Sequence, residues 1–253
     1  LLLFYAAGTA VLTWYILSGR NVARLRPSPL RWPLFRDILG VGAVAAVTSV
    51  QTNVIIALAT ALVAAAGGAA AAAGYGTAAR LEYLLVPLVF GLGAPLVAMV
   101  GTNIGAGQRA RALRIAMAGG AVAFAATEAI GVAAAVWPQA WIGRFSTDPH
   151  VLATGTTYLR IVGPTYGFFG LALALYFASQ GAGRLFWPLS AGFLRMLVAI
   201  GGGWLALRAT GSLLWLFAAL ALGLFLHGMT LLVAIGSGAW FRRPAPGPSA
   251  VVS

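Results

Sequence analysis

Glu82, Glu128, Arg195 and His227 each stand inside a long apolar stretch of this 253-residue sequence. An ionisable group in hydrocarbon costs free energy unless it is paired or wetted, so these are the first candidates for chemistry. The chemistry open to them is binding of a proton or a small cation, or the ordering of a polar cluster inside a helix bundle. Proton coupling needs a carboxylate whose proton affinity is raised by burial, and Glu128 is the most enclosed candidate. Ser49, Asn53 and Thr60 fall at about 0°, 40° and 20° on a helical wheel and form one polar stripe, with Gln51 on the other side. Such a stripe either lines a wet cavity or hydrogen-bonds to a neighbouring helix. Tyr166 and Phe169, with Phe168, Tyr176 and Phe177, make another stretch aromatic. Their flat faces either pack in a core or line a cavity for flat organic cations.

Other chemistries are excluded at this level. The sequence has no cysteine, so a thiol nucleophile and a cysteine metal site are ruled out. There is no HExxH motif and no paired-aspartate motif, and His150 and His227 lie far apart. An enzyme, a bound metal and a cofactor are therefore not expected. The run VGTNIGAGQRAR, Val100 to Arg111, has the glycines of a phosphate loop but lacks the Lys-Ser or Lys-Thr of a Walker loop and the preceding strand of a Rossmann fingerprint. Gly105 and Gly107 read instead as a helix-end turn, and Gly181 and Gly183 in SQGAGR repeat the pattern before Arg184.

The elements that must position these residues follow from composition. Hydrophobic residues make up 61% of the chain and charged residues 8%, with a mean hydropathy of +0.93. A soluble domain carries about 25% charged residues, so the class is a membrane protein. Apolar runs near the roughly 20 residues that cross a bilayer occur at 1–17, 38–64, 82–104, 115–137, 157–179, 187–207 and 213–236. None has the strict alternation of barrel strands, which gives an all-α, polytopic transmembrane helical bundle of about seven spans. The alanine run Ala69–Ala73 falls in the expected loop between the second and third spans. All sixteen basic residues are arginines, against four acids, for a formal net charge of +12. Eleven of the arginines, in loops one, three and five and the tail, lie on one side of the expected topology. The opposite side holds only Arg80, Arg144 and Arg208, with Arg160 and Arg195 inside spans. That asymmetry places the C-terminus in the cytoplasm and makes these arginines topology signals rather than a nucleic-acid surface. Alanine, glycine and arginine richness without lysine points through codon bias to a GC-rich bacterial genome, and the expected location is the inner membrane.

Depth along untilted helices, at 1.5 Å per residue from the cytoplasmic end, comes to about 10 Å for Arg195, 14 Å for His227, 20 Å for Glu128 and 33 Å for Glu82. On this estimate Glu128 and His227 are near enough in depth to pair, and Glu82 stands near the outer boundary. Arg80 and Glu82 are two apart and do not face each other on one helix. Pro164 is the proline expected to act as a hinge within a span.

Arg80-Leu81-Glu82, Pro87, Gly91-Leu92-Gly93 and VGTNIGAGQRARA resemble, in that order, the second helix of a lobe in multidrug and toxic compound extrusion (MATE) transporters. Phe145 to Pro149, Tyr158 to Ile161, Pro164 and SQGAGR resemble the fourth helix and the loop before it. The ordered series covers about residues 36–236. The resemblance implies two six-helix lobes that open alternately to either side of the membrane, of which this chain supplies one. Residues 1–17 would be the last helix of the first lobe, 18–35 a cytoplasmic linker, 36–240 the second lobe and 241–253 a disordered tail. It further implies a secondary antiporter that exports amphipathic, cationic organic compounds, coupled to H+ or Na+, and it places Glu82 at or near the transport cavity. No acidic residue occupies the centre of the second or fifth span, where some sodium-coupled relatives place carboxylates, so proton coupling is favoured. The expected partners are a small organic substrate, the bilayer and an N-terminal lobe. A lipid-linked sugar flippase and a non-catalytic membrane scaffold subunit remain as alternatives.

Overall fold

The computed structural model describes residues 2–19 and 32–241. The expected linker and tail fall largely outside these residues. Two compact units are distinguished, Leu1–Gly40 and Val41–Ser253. The first contains α1 (Leu2–Leu17), a 16-residue apolar helix with no buried residue.

Helix α2 (Trp32–Gly105) is interrupted at Gly68, where φ is 74° and ψ is −169°. The interruption makes two arms. The expected loop around Ala69–Ala73 does not exist: the run is helical, and Ala71 is buried. Alanine has the highest helix propensity of any residue, so five in a row extend the second arm back to the break. The break falls at a glycine because a positive φ costs glycine no Cβ clash. The second arm thus begins more than ten residues earlier than the expected third span, which brings Tyr75, Gly76 and Ala79 into the bundle.

After α2 come α3 (Arg109–Val136), the short α4 (Pro138–Ile142), α5 (Pro149–Val162), α6 (Tyr166–Gly181), α7 (Phe186–Met196), α8 (Gly203–Thr210) and α9 (Leu213–Gly236). A 3-10 turn at Gly163–Thr165 joins α5 to α6, and a π-helical turn at Leu197–Gly202 joins α7 to α8. Among the described residues five stretches are long and apolar enough to cross a membrane: Gly42–Gly105, Arg109–Val136, Pro149–Gly181, Phe186–Thr210 and Leu213–Gly236. The first is divided by the Gly68 break. Helices are the form required here, because every backbone polar group inside hydrocarbon must be bonded within the chain.

Small residues decide how the helices meet. The buried face of α3 is Ala112, Ala116, Gly120, Ala123, Thr127, Gly131 and Ala134, spaced by three or four residues. Against it α6 and the preceding turn present Gly163, Gly167 and Gly170. A Cβ on Gly163 would lie 2.7 Å from the carbonyl oxygen of Gly131. Two backbones approach this closely only where side chains are absent, and dispersion between them drives association where lipid removes the hydrophobic effect. On the outward surface, Val122, Leu205, Leu222 and Val233 are exposed, a surface suited to acyl chains.

The largest core cluster centres on Tyr75, Tyr158, Tyr166 and Phe217. Tyr158 meets Tyr75 edge to face at 5.1 Å and Phe217 at 5.3 Å. Trp141 Nε1 donates to the carbonyl of Thr77 at 3.0 Å, which ties α4 to the second arm of α2. Gly107 and Gly183 hold φ of 75° and 64° just beyond the ends of α2 and α6, whose last residues are Gly105 and Gly181.

Candidate functional site

A cavity of about 260 Å³ opens between the two arms of α2, α6 and α7. The first arm contributes Thr52, Ile56 and Thr60, spaced by four and hence on one helix face. The second contributes Arg80, Glu82 and Tyr83 among others, while Phe169 and Arg195 come from α6 and α7. Because Ile56 is the centre of the first arm's cavity face, only Thr60 of the expected polar stripe reaches it. Ser49 and Asn53 are exposed and spend their side chains on their own helix, donating to the carbonyls of Ala45 at 3.0 Å and Ser49 at 2.8 Å. Thr60 likewise donates to the Ile56 carbonyl at 2.7 Å. Thr52 takes the place expected of Asn53.

Glu82 is the acidic residue of the cavity. The Tyr158 hydroxyl donates to its Oε1. Arg195 lines the same cavity, and its charge acts on Glu82 and Tyr75. A narrower cleft of about 20 Å³ behind them is walled by Tyr75, Glu82, Tyr158 and Arg195 together with apolar residues of α5 and α9. The depth estimate therefore misplaced these groups: it set Arg195 and Glu82 about 23 Å apart along untilted helices. Bundle helices tilt and bend, and an arginine side chain adds its own length, so residues at unequal counts from the helix ends meet.

Glu128 and His227 do not pair. The Glu128 Oε2 accepts a hydrogen bond from the backbone N–H of Gly167 at 2.6 Å, next to the turn that holds Pro164. The carboxylate thereby caps the start of α6, where a regular helix leaves N–H groups without partners. A Cβ on Gly167 would sit 2.7 Å from that oxygen, so glycine is what admits it. His227 Nδ1 is buried without a hydrogen-bond partner, and the charge of Arg195 acts on the ring. Of the four ionisable groups, Arg195 thus lines the cavity with Glu82 and acts on His227, while Glu128 stands apart and closes a helix end.

Tyr166 is fully buried in the tyrosine core rather than on the cavity wall, whereas Phe169 reaches the cavity. Pro164 is exposed within the 3-10 turn. Five polar or aromatic site residues are not among those expected from the sequence: Thr52, Tyr75, Arg80, Tyr83 and Tyr158. The signal for Thr52 and Tyr75 is helical spacing, Thr52, Ile56 and Thr60 on one arm and Tyr75, Ala79, Glu82 and Val86 on the other; Tyr158 carries no such signal. The second series is visible only once Ala69–Ala73 is read as helix. Gln51, on the other side of the helix from the Ser49 stripe, has both amide atoms buried without a partner against Gly192.

Comparison with known proteins gives a consistent picture. The MatE family model matches residues 45–205. The probable multidrug resistance protein NorM of Thermotoga maritima is 25% identical over 196 residues, 76% of this chain and 41% of that protein. A MATE crystal structure in complex with MaL6 superposes with a TM-score of 0.82 at 15% identity, covering 93% of this chain and 54% of that one. An outward-facing multidrug resistance MATE family transporter of the MOP superfamily gives 0.81 at 15% identity, with the same coverage of 93% and 54%. The MATE transporter ClbM in complex with Rb+ gives 0.74 at 18% identity, covering 85% and 48%. The chain thus spans about half the length of the proteins it matches.

Proposed function

Since the chain belongs to the MatE family of multi-pass membrane transporters, we propose that it forms one lobe of a secondary antiporter that exports amphipathic organic compounds. On this reading residues 36–240 are the second lobe, residues 1–17 the last helix of the first, 18–35 the linker and 241–253 a cytoplasmic tail. The arginine-rich side faces the cytoplasm of a bacterial inner membrane. The lobe works with an N-terminal partner lobe by alternating access, driven by an inward proton gradient.

One observation carries the reading: a lone carboxylate, Glu82, faces a cavity among membrane-spanning helices and is held there by Tyr158 and attended by Arg195. A carboxylate so placed gains a proton or a cation when the cavity meets one compartment and loses it in the other, which is the requirement for exchange. Protons suit the site better than sodium, because the cavity contributes only one carboxylate and two arginines. Those same two arginines argue against the purely cationic substrate expected from family resemblance.

The test is proton-driven efflux from vesicles carrying the full-length protein that contains this chain. Glu82→Gln, which keeps the size and the hydrogen bond from Tyr158, abolishes coupled efflux while the protein inserts normally. Undiminished proton-coupled efflux by Glu82→Gln would move the coupling site out of this lobe.

A further inference from the structure

The charges of the cavity wall do not balance. Its lining holds two arginines, Arg80 and Arg195, and one carboxylate, Glu82. Glu82 is already engaged, since Tyr158 donates to it and the charge of Arg195 acts on it. Arg80 remains: its side chain is exposed on the wall and makes no hydrogen bond, ion pair or ring contact with any described residue. A guanidinium keeps its charge under all conditions that a protein survives, and its planar fork of donors matches the two oxygens of a carboxylate. The same cavity is lined by Tyr83 and Phe169, whose rings offer flat apolar faces, and by the aliphatic Ile56 and Val86.

We propose that this cavity binds an organic anion: an aromatic compound whose carboxylate meets the Arg80 guanidinium and whose ring system lies against Tyr83 and Phe169. The proposal rests on the reading of the cavity as the substrate site and adds the charge of the substrate to it. A zwitterion with a free carboxylate fits equally, since its cationic end can face away. A compound carrying only positive charge meets one more arginine than carboxylate, and like-charge juxtaposition suppresses binding. A lipid phosphate offers the same oxyanion chemistry, so the test separates the two sources.

Two xanthene dyes serve as a pair with one ring system and opposite charge, fluorescein as the anion and rhodamine 6G as the cation. Their binding and efflux are measured with the full-length protein in vesicles of phosphatidylcholine alone, then with phosphatidylglycerol added. We expect wild type to bind fluorescein more tightly than rhodamine 6G. Arg80→Gln weakens fluorescein by about tenfold or more and leaves rhodamine 6G unchanged or improved. Arg80→Lys, which keeps the charge without the fork, falls between and shows that loss in the glutamine variant is not misfolding. Tighter binding of rhodamine 6G by wild type, with fluorescein indifferent to Arg80→Gln, overturns the proposal. Loss of Arg80-dependent fluorescein binding on adding phosphatidylglycerol also overturns it, by assigning the guanidinium to lipid. If neither dye is exported but fluorescein still binds through Arg80, the transport reading fails and the anion site stands. If rhodamine 6G alone is exported, the transport reading stands and the anion site fails.

Discussion

Tyr158 holds the one carboxylate of the cavity in place, and it does so from a helix that sequence distance alone would never pair with Glu82. Its hydroxyl donates to Glu82, and its ring is fixed edge to face against Tyr75 and Phe217. Tyr158→Phe keeps the ring packing and removes the donor, leaving Glu82 without that bond. We expect a loss of about 1–3 kcal/mol in unfolding free energy, read from thermal or denaturant melts in detergent, together with weakened efflux coupling. Glu128 calls for a different comparison. Glu128→Ala strips the Gly167 N–H of its acceptor and costs a similar amount, whereas Glu128→Gln keeps an acceptor oxygen and costs less. If alanine and glutamine destabilise equally, the cap at the start of α6 is not what Glu128 supplies. Glu82 was legible in the sequence because a charge in hydrocarbon stands out. Its partner was not, since Tyr158 is 76 residues away and only the packing of α5 against the second arm of α2 brings them together.

At the scale of the element, glycine and alanine do most of the positioning. The interface of α3 with the turn before α6 brings Gly131 and Gly163 so close that an added methyl group on either meets the other's backbone. Gly163→Ala is therefore expected to force the helices apart, at a cost of about 1–3 kcal/mol, seen as a lowered melting temperature and reduced insertion. An unchanged melt would mean that the turn at Pro164 yields and absorbs the methyl group. The hydrophobic runs made the existence of the spans readable, since length and composition suffice for that. Two features were not readable from them. The alanine run looked like loop because no polar residue marked the helix, although alanine's propensity argues the other way. The polar stripe Ser49, Asn53 and Thr60 had helical spacing, but spacing fixes which residues share a face and not which neighbour that face meets. The packed face runs through Gln51, Ile55, Ala59 and Val63, and the cavity face beside it through Thr52, Ile56 and Thr60.

For the whole molecule, the proposed function makes the cavity one wall of a larger site. The chain spans 41% of its Thermotoga maritima relative and 54% of two MATE structures. Alternating access, as proposed above, needs two bodies that rock against each other around one site, and on that proposal residues 36–240 supply one. The 253-residue chain reconstituted alone in liposomes is expected to show no dye efflux above protein-free vesicles; robust export by the isolated chain would refute the two-lobe reading.

The single-glycine break at Gly68 carries a consequence for how such a lobe can vary. From Ala69 to Glu82 the second arm runs as helix without interruption, so each residue's compass bearing is set by its count from the break. One codon gained or lost in that stretch turns everything beyond it by about 100°, swinging Glu82 off the cavity and into lipid or core. The length of this stretch therefore matters as much as its letters; the bland run before the acid is the ruler that aims it.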